Sequence, residues 1–242
     1  KKWFLWYVYH SALGKLILLI FRTRLFSAFM GWIFRTPFSR YLIVPLAKFY
    51  DIQMDTYQVP ENGFQTLNDF FIRPTREEFR KFPLWSALWS PVDGCVEIFQ
   101  KITLSDDFCV KGYKLNLQDI FWPHLVDFVG GDLCFFRLRF SDYHRFHFFD
   151  DGEILSSQSR EWPLYSVDNS VLDTGFWVKN KTHCMRLKTK NFWEVLILEV
   201  GATNVWCIKN HKQRGDAFVR SEEKGYFELG GSAVLVVFWN NV

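Results

Sequence analysis

The distribution of charge divides this chain into two parts of different character. Residues 1–50 contain eight Lys or Arg and no Asp or Glu, whereas the rest carries 21 basic and 26 acidic residues. The basic residues of the first part are spaced among Trp, Phe, Leu and Ile. Positive charge among apolar side chains favours an anionic lipid surface over a nucleic acid as the partner of this part.

The first part is built from short apolar runs. Residues 3–21 approach the length of a membrane span, but Lys15 lies near the middle of the run, where a charge is costly. The runs Leu25–Phe34 and Tyr41–Tyr50 are shorter and are bracketed by Arg and Lys. The pattern predicts amphipathic helices that lie in a membrane interface. A buried helical subdomain of a soluble protein is the alternative.

After Asp51 the sequence changes to short runs rich in Val, Ile, Phe and Thr, separated by Gly, Asp, Asn and Pro. Such texture is typical of many short strands, and a hydrophobic content of 49% is enough for a buried core. We therefore predict an α+β fold, with a helical membrane-binding region over 1–58 and a mainly antiparallel β domain over 59–242. A helix is predicted at Leu67–Phe71. The predicted strands include Cys95–Phe99, Leu133–Phe140, Val195–Val200, Val205–Ile208 and Ala233–Phe238.

The five cysteines are odd in number and form no CxxC pair. This pattern favours neither a disulfide framework nor a zinc ribbon, and it fits a reducing compartment. The sequence predicts no metal site.

Three segments carry residues that are capable of chemistry: Ser90-Pro-Val-Asp-Gly94, Asp142-Tyr-His-Arg-Phe-His147 and Leu229-Gly-Gly-Ser-Ala233. Each alone has an ordinary structural explanation, as a turn, a histidine pair or a loop. Together they supply an Asp, a His and a Ser, as a base-activated nucleophile requires. Serine hydrolysis is one interpretation. However, Ser232 lacks a nucleophile elbow and precedes an apolar strand, which favours attack on its own preceding peptide.

These three segments, in this order, resemble the phosphatidylserine decarboxylase family from about Leu67 to Phe238. Four further segments support the resemblance: Asn68-Asp-Phe-Phe-Ile-Arg73, Leu164-Tyr-Ser-Val167, Val200-Gly-Ala202 and Glu223-Lys-Gly-Tyr-Phe227. The basic N-terminal part is similar in character to the membrane-binding helices of that family.

The resemblance implies a proenzyme that cuts itself between Gly231 and Ser232. In this scheme Asp93 orients His147, His147 takes a proton from Ser232, and the serine attacks the carbonyl of Gly231. The resulting ester undergoes β-elimination, and loss of ammonia leaves a pyruvoyl group at the start of the small fragment. The fragments would be 1–231 and 232–242.

The pyruvoyl group is the cofactor that the resemblance implies, because decarboxylation of an amino acid needs an electron sink that no standard side chain offers. His144 is then expected to position the substrate carboxylate or to reprotonate the product. Tyr143 and Arg145 are candidates for contact with the lipid headgroup. A structural ion pair is an equal alternative for Arg145.

The implied reaction converts phosphatidylserine to phosphatidylethanolamine. The substrate places the protein peripherally on the cytoplasmic face of an anionic cell membrane, and no nucleic acid partner is predicted. Alternating Arg over Phe136–Phe140 is more simply one solvated strand face than a nucleic-acid surface. The sequence does not distinguish a homodimer from a monomer. The competing function is a catalytically silent membrane-binding relative of the same fold.

Four tryptophans stand where the resembled family has glycine: Trp122, Trp162, Trp193 and Trp206. One hypothesis is drift toward an inactive relative. The preferred hypothesis is a gene that reads the opal codon as glycine and has been translated with that codon as tryptophan. In addition, Arg220-Ser221 replaces a Lys-Gly pair of the family, and Phe149 stands near one of its prolines.

Overall fold

A computed structural model describes residues 11, 24–82, 88–104, 107–110, 113–116, 124–160, 181–201, 208–229 and 232–240. Helices occupy the basic N-terminal part, and strands make up most of the described chain after residue 94. The predicted α+β class is therefore confirmed.

The helices of the described part are short. The α-helices are α1 (Arg24–Phe34), α2 (Ile43–Phe49) and α3 (Leu67–Phe71), and 3-10 turns cover Pro37–Leu42, Met54–Thr56, Glu77–Phe79 and His124–Phe128. The apolar run predicted as a helix at Leu25–Phe34 coincides with α1. The run predicted at Tyr41–Tyr50 covers the end of the Pro37–Leu42 turn and all of α2. The helix predicted at Leu67–Phe71 is confirmed. Most of the run over 3–21 lies outside the described residues.

Twelve strands are present in the described part. They are β1 (Cys95–Phe99), β2 (Asp107–Val110), β3 (Tyr113–Asn116), β4 (Leu133–Leu138), β5 (Arg145–His147), β6 (Gly152–Arg160), β7 (Thr182–Thr189), β8 (Glu194–Val200), β9 (Ile208–Asn210), β10 (Ala217–Phe218), β11 (Glu223–Phe227) and β12 (Ser232–Phe238). Four of the five named strand predictions match these elements within two residues at each end. In the fifth, Val205–Ile208, only Ile208 belongs to the described residues, as the first residue of β9.

The strands form two main sheets in which neighbouring strands run antiparallel. The larger sheet has seven strands in the order β1-β4-β12-β8-β7-β6-β10, and the smaller has the order β5-β11-β9. Strands β2 and β3 form a separate hairpin. The last strand of the described chain thus lies inside the large sheet, between β4 and β8.

Burial explains the continuous apolar sequence of β12. Its residues Ala233–Val237 are at most 1% exposed, because both faces of the strand are covered.

The smaller sheet is tied to the larger one by a buried ion pair. The Lys224 ammonium of β11 donates to the Glu199 carboxylate of β8, and it also donates to the side-chain oxygen of Asn210 at 2.6 Å.

Helix α3 connects the N-terminal helices to the β domain. Its start is fixed by a capping box, in which Thr66 Oγ1 accepts from the Asp69 amide and Asp69 Oδ2 accepts from the Thr66 amide. The Leu67 amide donates to the buried hydroxyl of Ser39 at 2.8 Å. Phe70 and Phe71 are fully buried in the core. A five-residue helix is therefore held by its cap and its packing rather than by its length.

Trp193 occupies the turn between β7 and β8 in a conformation that suits glycine. Its φ is 57°, in the left-handed region, and its side chain is 61% exposed. A bulky residue pays a steric cost there that glycine avoids. The backbone therefore favours glycine at this position. Trp122, Trp162 and Trp206 lie outside the described residues.

We predict that Trp193→Gly raises the free energy of unfolding by about 1 kcal/mol, because relief of the left-handed strain exceeds the entropy that glycine adds to the unfolded chain. Thermal and urea unfolding of both forms measure the difference. Trp239→Gly is the comparison, since it removes an indole packed on Phe128 and should destabilise. A loss of stability in Trp193→Gly would contradict the preference for glycine.

Candidate active site

The large β-sheet brings two of the three predicted segments to the same end of its strands. Ser232 pairs with Leu138 of β4, and Gly94 lies against the same Leu138 from the other side. Since adjacent strands are about 4.8 Å apart, the backbones of Gly94 and Ser232 are roughly 10 Å apart. Asp93 precedes Gly94 and so lies at the same rim.

Gly94 allows this close approach. Its φ is 136°, and a Cβ at this position would lie 2.4 Å from the carbonyl oxygen of Arg137. No side chain fits there. The Asp-Gly pair of the sequence is thus a close contact between a loop and β4, as well as a turn.

The third segment, which contains the two histidines, joins this rim through backbone hydrogen bonds. The His147 amide donates to the Pro91 carbonyl at 2.9 Å, and the Phe227 amide donates to the His144 carbonyl at 2.9 Å. Pro91 belongs to the Asp93 segment, and Phe227 precedes Ser232 by five residues. All three predicted segments therefore meet. Gly231 and the side chain of Ser232 lie outside what the structure describes.

The imidazole of His147 is held as a neutral base. Nδ1 lies 3.0 Å from the Ser221 carbonyl, which only accepts, so Nδ1 carries the proton and Nε2 has the free lone pair. Nε2 lies 3.2 Å from the Tyr143 hydroxyl, which donates to it. Burial lowers the pKa of His147, so the ring is unprotonated at neutral pH. This is the state that a general base requires.

The Asp93 carboxylate forms an ion pair with Arg80. Burial raises the pKa of Asp93, and the Arg80 guanidinium opposes that rise. The predicted contact, in which Asp93 orients His147, is not among the hydrogen bonds of the described residues. The orienting group on Nδ1 is the Ser221 carbonyl instead. Arg80 places this ion pair beside the base, because its guanidinium lies 4.2 Å from the centre of the Tyr143 ring.

Ser221 has an unusual backbone conformation for the residue that supplies this carbonyl. Its φ is 70°, in the left-handed region that favours glycine. Strained positions of this kind are frequent at functional sites. No pattern in this single sequence indicated that Ser221 contacts a histidine.

Tyr143 and Arg145 were predicted to contact the lipid headgroup. Tyr143 is buried, its hydroxyl is bound to His147, and burial raises its pKa to about 12. Arg145 donates to both carboxylate oxygens of Glu223 at 2.9 Å and to the Ile72 carbonyl at 2.8 Å. The structure thus shows the ion-pair alternative for Arg145. A headgroup contact stays a prediction for either residue.

His144 is fully buried and its ring nitrogens form no hydrogen bond with the described residues. The ring packs on Phe71 with centroids 3.7 Å apart. Burial lowers the pKa of His144 to about 3, and the Arg73 charge lowers it further. The nearby Asp142 backbone opposes the shift, although its geometry falls short of a full hydrogen bond. A buried polar group without a partner is costly, and such a group indicates a binding or catalytic role.

Residues of the Asn68–Arg73 segment hold two loops that flank the site. The buried Arg73 guanidinium donates to the carbonyls of Ser141, at 2.6 Å, and Phe70, at 3.1 Å. The Asn68 side-chain oxygen accepts from the Leu229 amide, two residues before Gly231. The sequence marked this segment as characteristic without assigning it a role, because the roles lie in long-range contacts.

Comparison with known proteins decides the family. A sequence model described as phosphatidylserine decarboxylase matches residues 67–242. The chain belongs to the phosphatidylserine decarboxylase family. It is 32% identical to the phosphatidylserine decarboxylase proenzyme of Fusobacterium nucleatum, over 97% of this chain and 80% of the relative. The corresponding proenzymes of Clostridium kluyveri and Chlamydia felis are 32% and 34% identical, over 100% and 96% of this chain and 83% and 79% of theirs.

Phosphatidylserine decarboxylases of this family depend on a pyruvoyl group, and the residues of this chain fit one. Ser232, the residue from which it would form, opens β12, and only β4 separates it from the segment that carries Asp93. The unpartnered nitrogens of His144 offer hydrogen bonds that no described residue uses. The site therefore contains two neutral imidazoles, one held by hydrogen bonds and one without a partner among the described residues.

Proposed function

We propose that this chain is a precursor that cuts itself between Gly231 and Ser232 and then decarboxylates phosphatidylserine to phosphatidylethanolamine. The chain belongs to this family, and one observation carries the proposal. Three separate segments meet where β4 ends at Leu138 and where β5 begins. Their sequence positions are far apart, and only the sheet topology brings them together.

His147 supports the cleavage step as the proton acceptor. Nε2 takes the hydroxyl proton of Ser232 while the serine oxygen attacks the Gly231 carbonyl. The imidazolium then returns the proton to the Ser232 nitrogen as the C–N bond breaks, which leaves an ester and a free amine. Loss of the Ser232 α-proton then expels the Gly231 carboxylate, and hydrolysis of the resulting enamine releases ammonia. Tyr143 must move its hydroxyl away from Nε2 before that nitrogen receives a proton.

The pyruvoyl group, once formed, supplies the electron sink for loss of carbon dioxide. The protein contributes the surroundings. His144, neutral and buried, is placed to hold the carboxylate of the substrate or to deliver a proton to the product. The aromatic wall of Phe71 excludes water from one side of that imidazole.

The N-terminal helices support attachment to the membrane from which the substrate comes. Large apolar side chains are exposed on them, including Trp32, Phe38, Tyr41, Val44 and Phe49. Arg35, Arg40 and Lys48 lie among them, and no acidic residue is present before Asp51. Exposed aromatic and basic side chains together bind anionic interfaces. No helix in the described part of the chain has the length and apolarity to cross a bilayer.

The helical region also lies beside the cleavage segment. Arg35, which directly follows α1, forms an ion pair with Glu228 at 2.6 Å. A membrane bound by these helices would thus face the active site. We propose a peripheral location on the cytoplasmic face, where anionic lipid attracts basic residues and free cysteines persist, as at Cys95, Cys134 and Cys184.

Mass spectrometry and a lipid assay test the function. The purified wild-type chain should split into fragments 1–231 and 232–242, the second beginning with a pyruvoyl group instead of serine. Added to phosphatidylserine in detergent micelles, it should release carbon dioxide and form phosphatidylethanolamine. A chain that stays whole and releases no carbon dioxide would identify a silent relative instead.

We predict that the double change Phe38→Ser and Phe49→Ser weakens binding to vesicles of phosphatidylserine and phosphatidylcholine by at least roughly tenfold, since each phenyl group contributes on the order of 2 kcal/mol when it leaves water. Both side chains are largely exposed, so stability should change little. Vesicle flotation measures the effect. Val219→Ser, at a similarly exposed apolar residue in another part of the chain, is the control. Equal binding by the double variant would exclude this surface.

A further inference from the structure

A cavity of about 400 Å³ lies next to the catalytic residues and is not used by the cleavage step. Its walls include Arg80, Lys81, Phe82, Trp89 and Asp93. Two of these wall residues also lie near the catalytic base. The ring centres of Phe82 and Trp89 are 5.5 Å and 6.3 Å from the centre of the His147 ring. A molecule in this cavity would therefore lie beside the catalytic imidazole.

Two hydrogen-bond donors in the cavity wall lack partners among the described residues. They are the indole nitrogen of Trp89 and the hydroxyl of Thr75, and both atoms are buried. An indole N–H only donates, and its burial without an acceptor is costly. Both atoms lie behind the surface of the cavity, so they set the polarity of its surroundings without contacting its contents directly.

The charges of the wall favour an anion. Arg80 and Lys81 bring two positive charges and Asp93 brings one negative charge, so the described part of the wall is positive by one unit. Arg80 is engaged with Asp93, whereas Lys81 forms no ion pair within the described residues. One more negative charge would neutralise the cavity.

We propose that this cavity is a binding site for the phosphodiester of the lipid headgroup, with Lys81 as its principal contact. A phosphodiester carries one negative charge and two unesterified oxygens, which matches the cationic groups of the wall. The inference rests on the proposed function for the identity of the lipid. In phosphatidylserine only a few covalent bonds separate the phosphate from the reacting amine, so neighbouring sites for the two groups are required.

The experiment uses the uncut Ser232→Ala precursor, which keeps every residue of the cavity wall, and measures binding of glycerophosphoserine by calorimetry. Free serine and inorganic phosphate are the other two probes. Glycerophosphoserine should bind at least tenfold more tightly than serine. Adding Lys81→Gln should weaken its binding about tenfold, the effect of one charge-assisted hydrogen bond. Lys81→Arg should restore much of the affinity.

Lys209→Gln is the matched control, because Lys209 is an exposed lysine on β9, away from the cavity. Equal affinity of the Lys81→Gln form and its parent would overturn the proposal. Inorganic phosphate that binds as tightly as glycerophosphoserine would assign a free anion to the cavity and would also overturn it.

The processed enzyme gives a second measurement. In micelles of a neutral detergent, Lys81→Gln should raise the KM for phosphatidylserine about tenfold with little change in kcat, because it weakens binding without touching the reacting groups. An unchanged KM would count against the phosphate site. A wild-type chain without decarboxylase activity would defeat the proposed function alone, since the calorimetric comparison needs no turnover.

Discussion

A chain that carries His147→Ala is expected to stay largely whole under conditions in which the wild-type chain cuts itself. Removal of a general base lowers a rate by about 10²- to 10⁴-fold. The groups hydrogen-bonded to His147 are the Tyr143 hydroxyl and the Ser221 carbonyl, and neither is a base that could replace it. Intact-mass measurement over time gives the cleavage rate. The expected product is one species of full mass.

The dependence of cleavage on pH follows from the same imidazole. The base must be neutral, and burial lowers the pKa of His147 below that of a free histidine. Cleavage should therefore be constant through neutral pH and decrease only as the pH falls through this depressed pKa. A midpoint at or above the pKa of free histidine would contradict the buried geometry.

Two variants complete the comparison. Ser232→Ala removes the nucleophile and should abolish cleavage. His211→Ala removes a partly exposed histidine whose Nε2 contacts Glu223 at 2.9 Å, and it should cut at the wild-type rate. Efficient cleavage in His147→Ala would assign the base to another group, whereas slow cleavage in His211→Ala would indicate a general structural sensitivity of this sheet.

Much of the fold could be predicted from local sequence. Runs such as Cys95–Phe99 and Ala233–Phe238 are mostly apolar, rich in β-formers and preceded by Gly or a polar residue, so their strand structure is encoded locally. The order of the strands is not encoded in this way. The place of β12 between β4 and β8 depends on contacts between residues that are distant in sequence, and no periodicity reports them.

The same limit applies to the active site. Asp93, His144 and His147 could be selected as reactive types in characteristic segments, and the sheet brings those segments together with Ser232. Their partners could not be selected. The carbonyl that orients His147 belongs to Ser221, and a backbone group leaves no trace in a side-chain pattern. The contact of Asp93 with an arginine, Arg80, likewise joins residues that no motif connects.

These partners change how the two histidines should be understood. His147 has a full set of hydrogen bonds that fixes its tautomer, whereas His144 has none within the described residues. A base that acts on the chain itself can be held ready during folding. A group that acts on a substrate must keep its hydrogen-bonding capacity free until the substrate arrives. We therefore propose that the two imidazoles serve successive reactions.

His144→Phe is therefore expected to separate the two reactions. The variant should cut itself as the wild type does, because His147 and its partners are retained. It should lose decarboxylation by at least about 10²-fold, the effect of removing an acid–base or carboxylate-binding group. Mass spectrometry measures the first reaction, and release of carbon dioxide from phosphatidylserine micelles measures the second.

Stability distinguishes this expectation from simple damage to the fold. A phenyl ring keeps the packing on Phe71 and removes two buried nitrogens that lack partners among the described residues. The free energy of unfolding should therefore rise, by up to about 1 kcal/mol. The larger volume of the phenyl ring offsets part of this gain. A more stable, fully cut and inactive protein would show that His144 is kept for chemistry. His144→Ala should also cut and be inactive, but it should lose stability through the cavity it leaves. Turnover at the wild-type rate in either variant would remove His144 from the decarboxylation step.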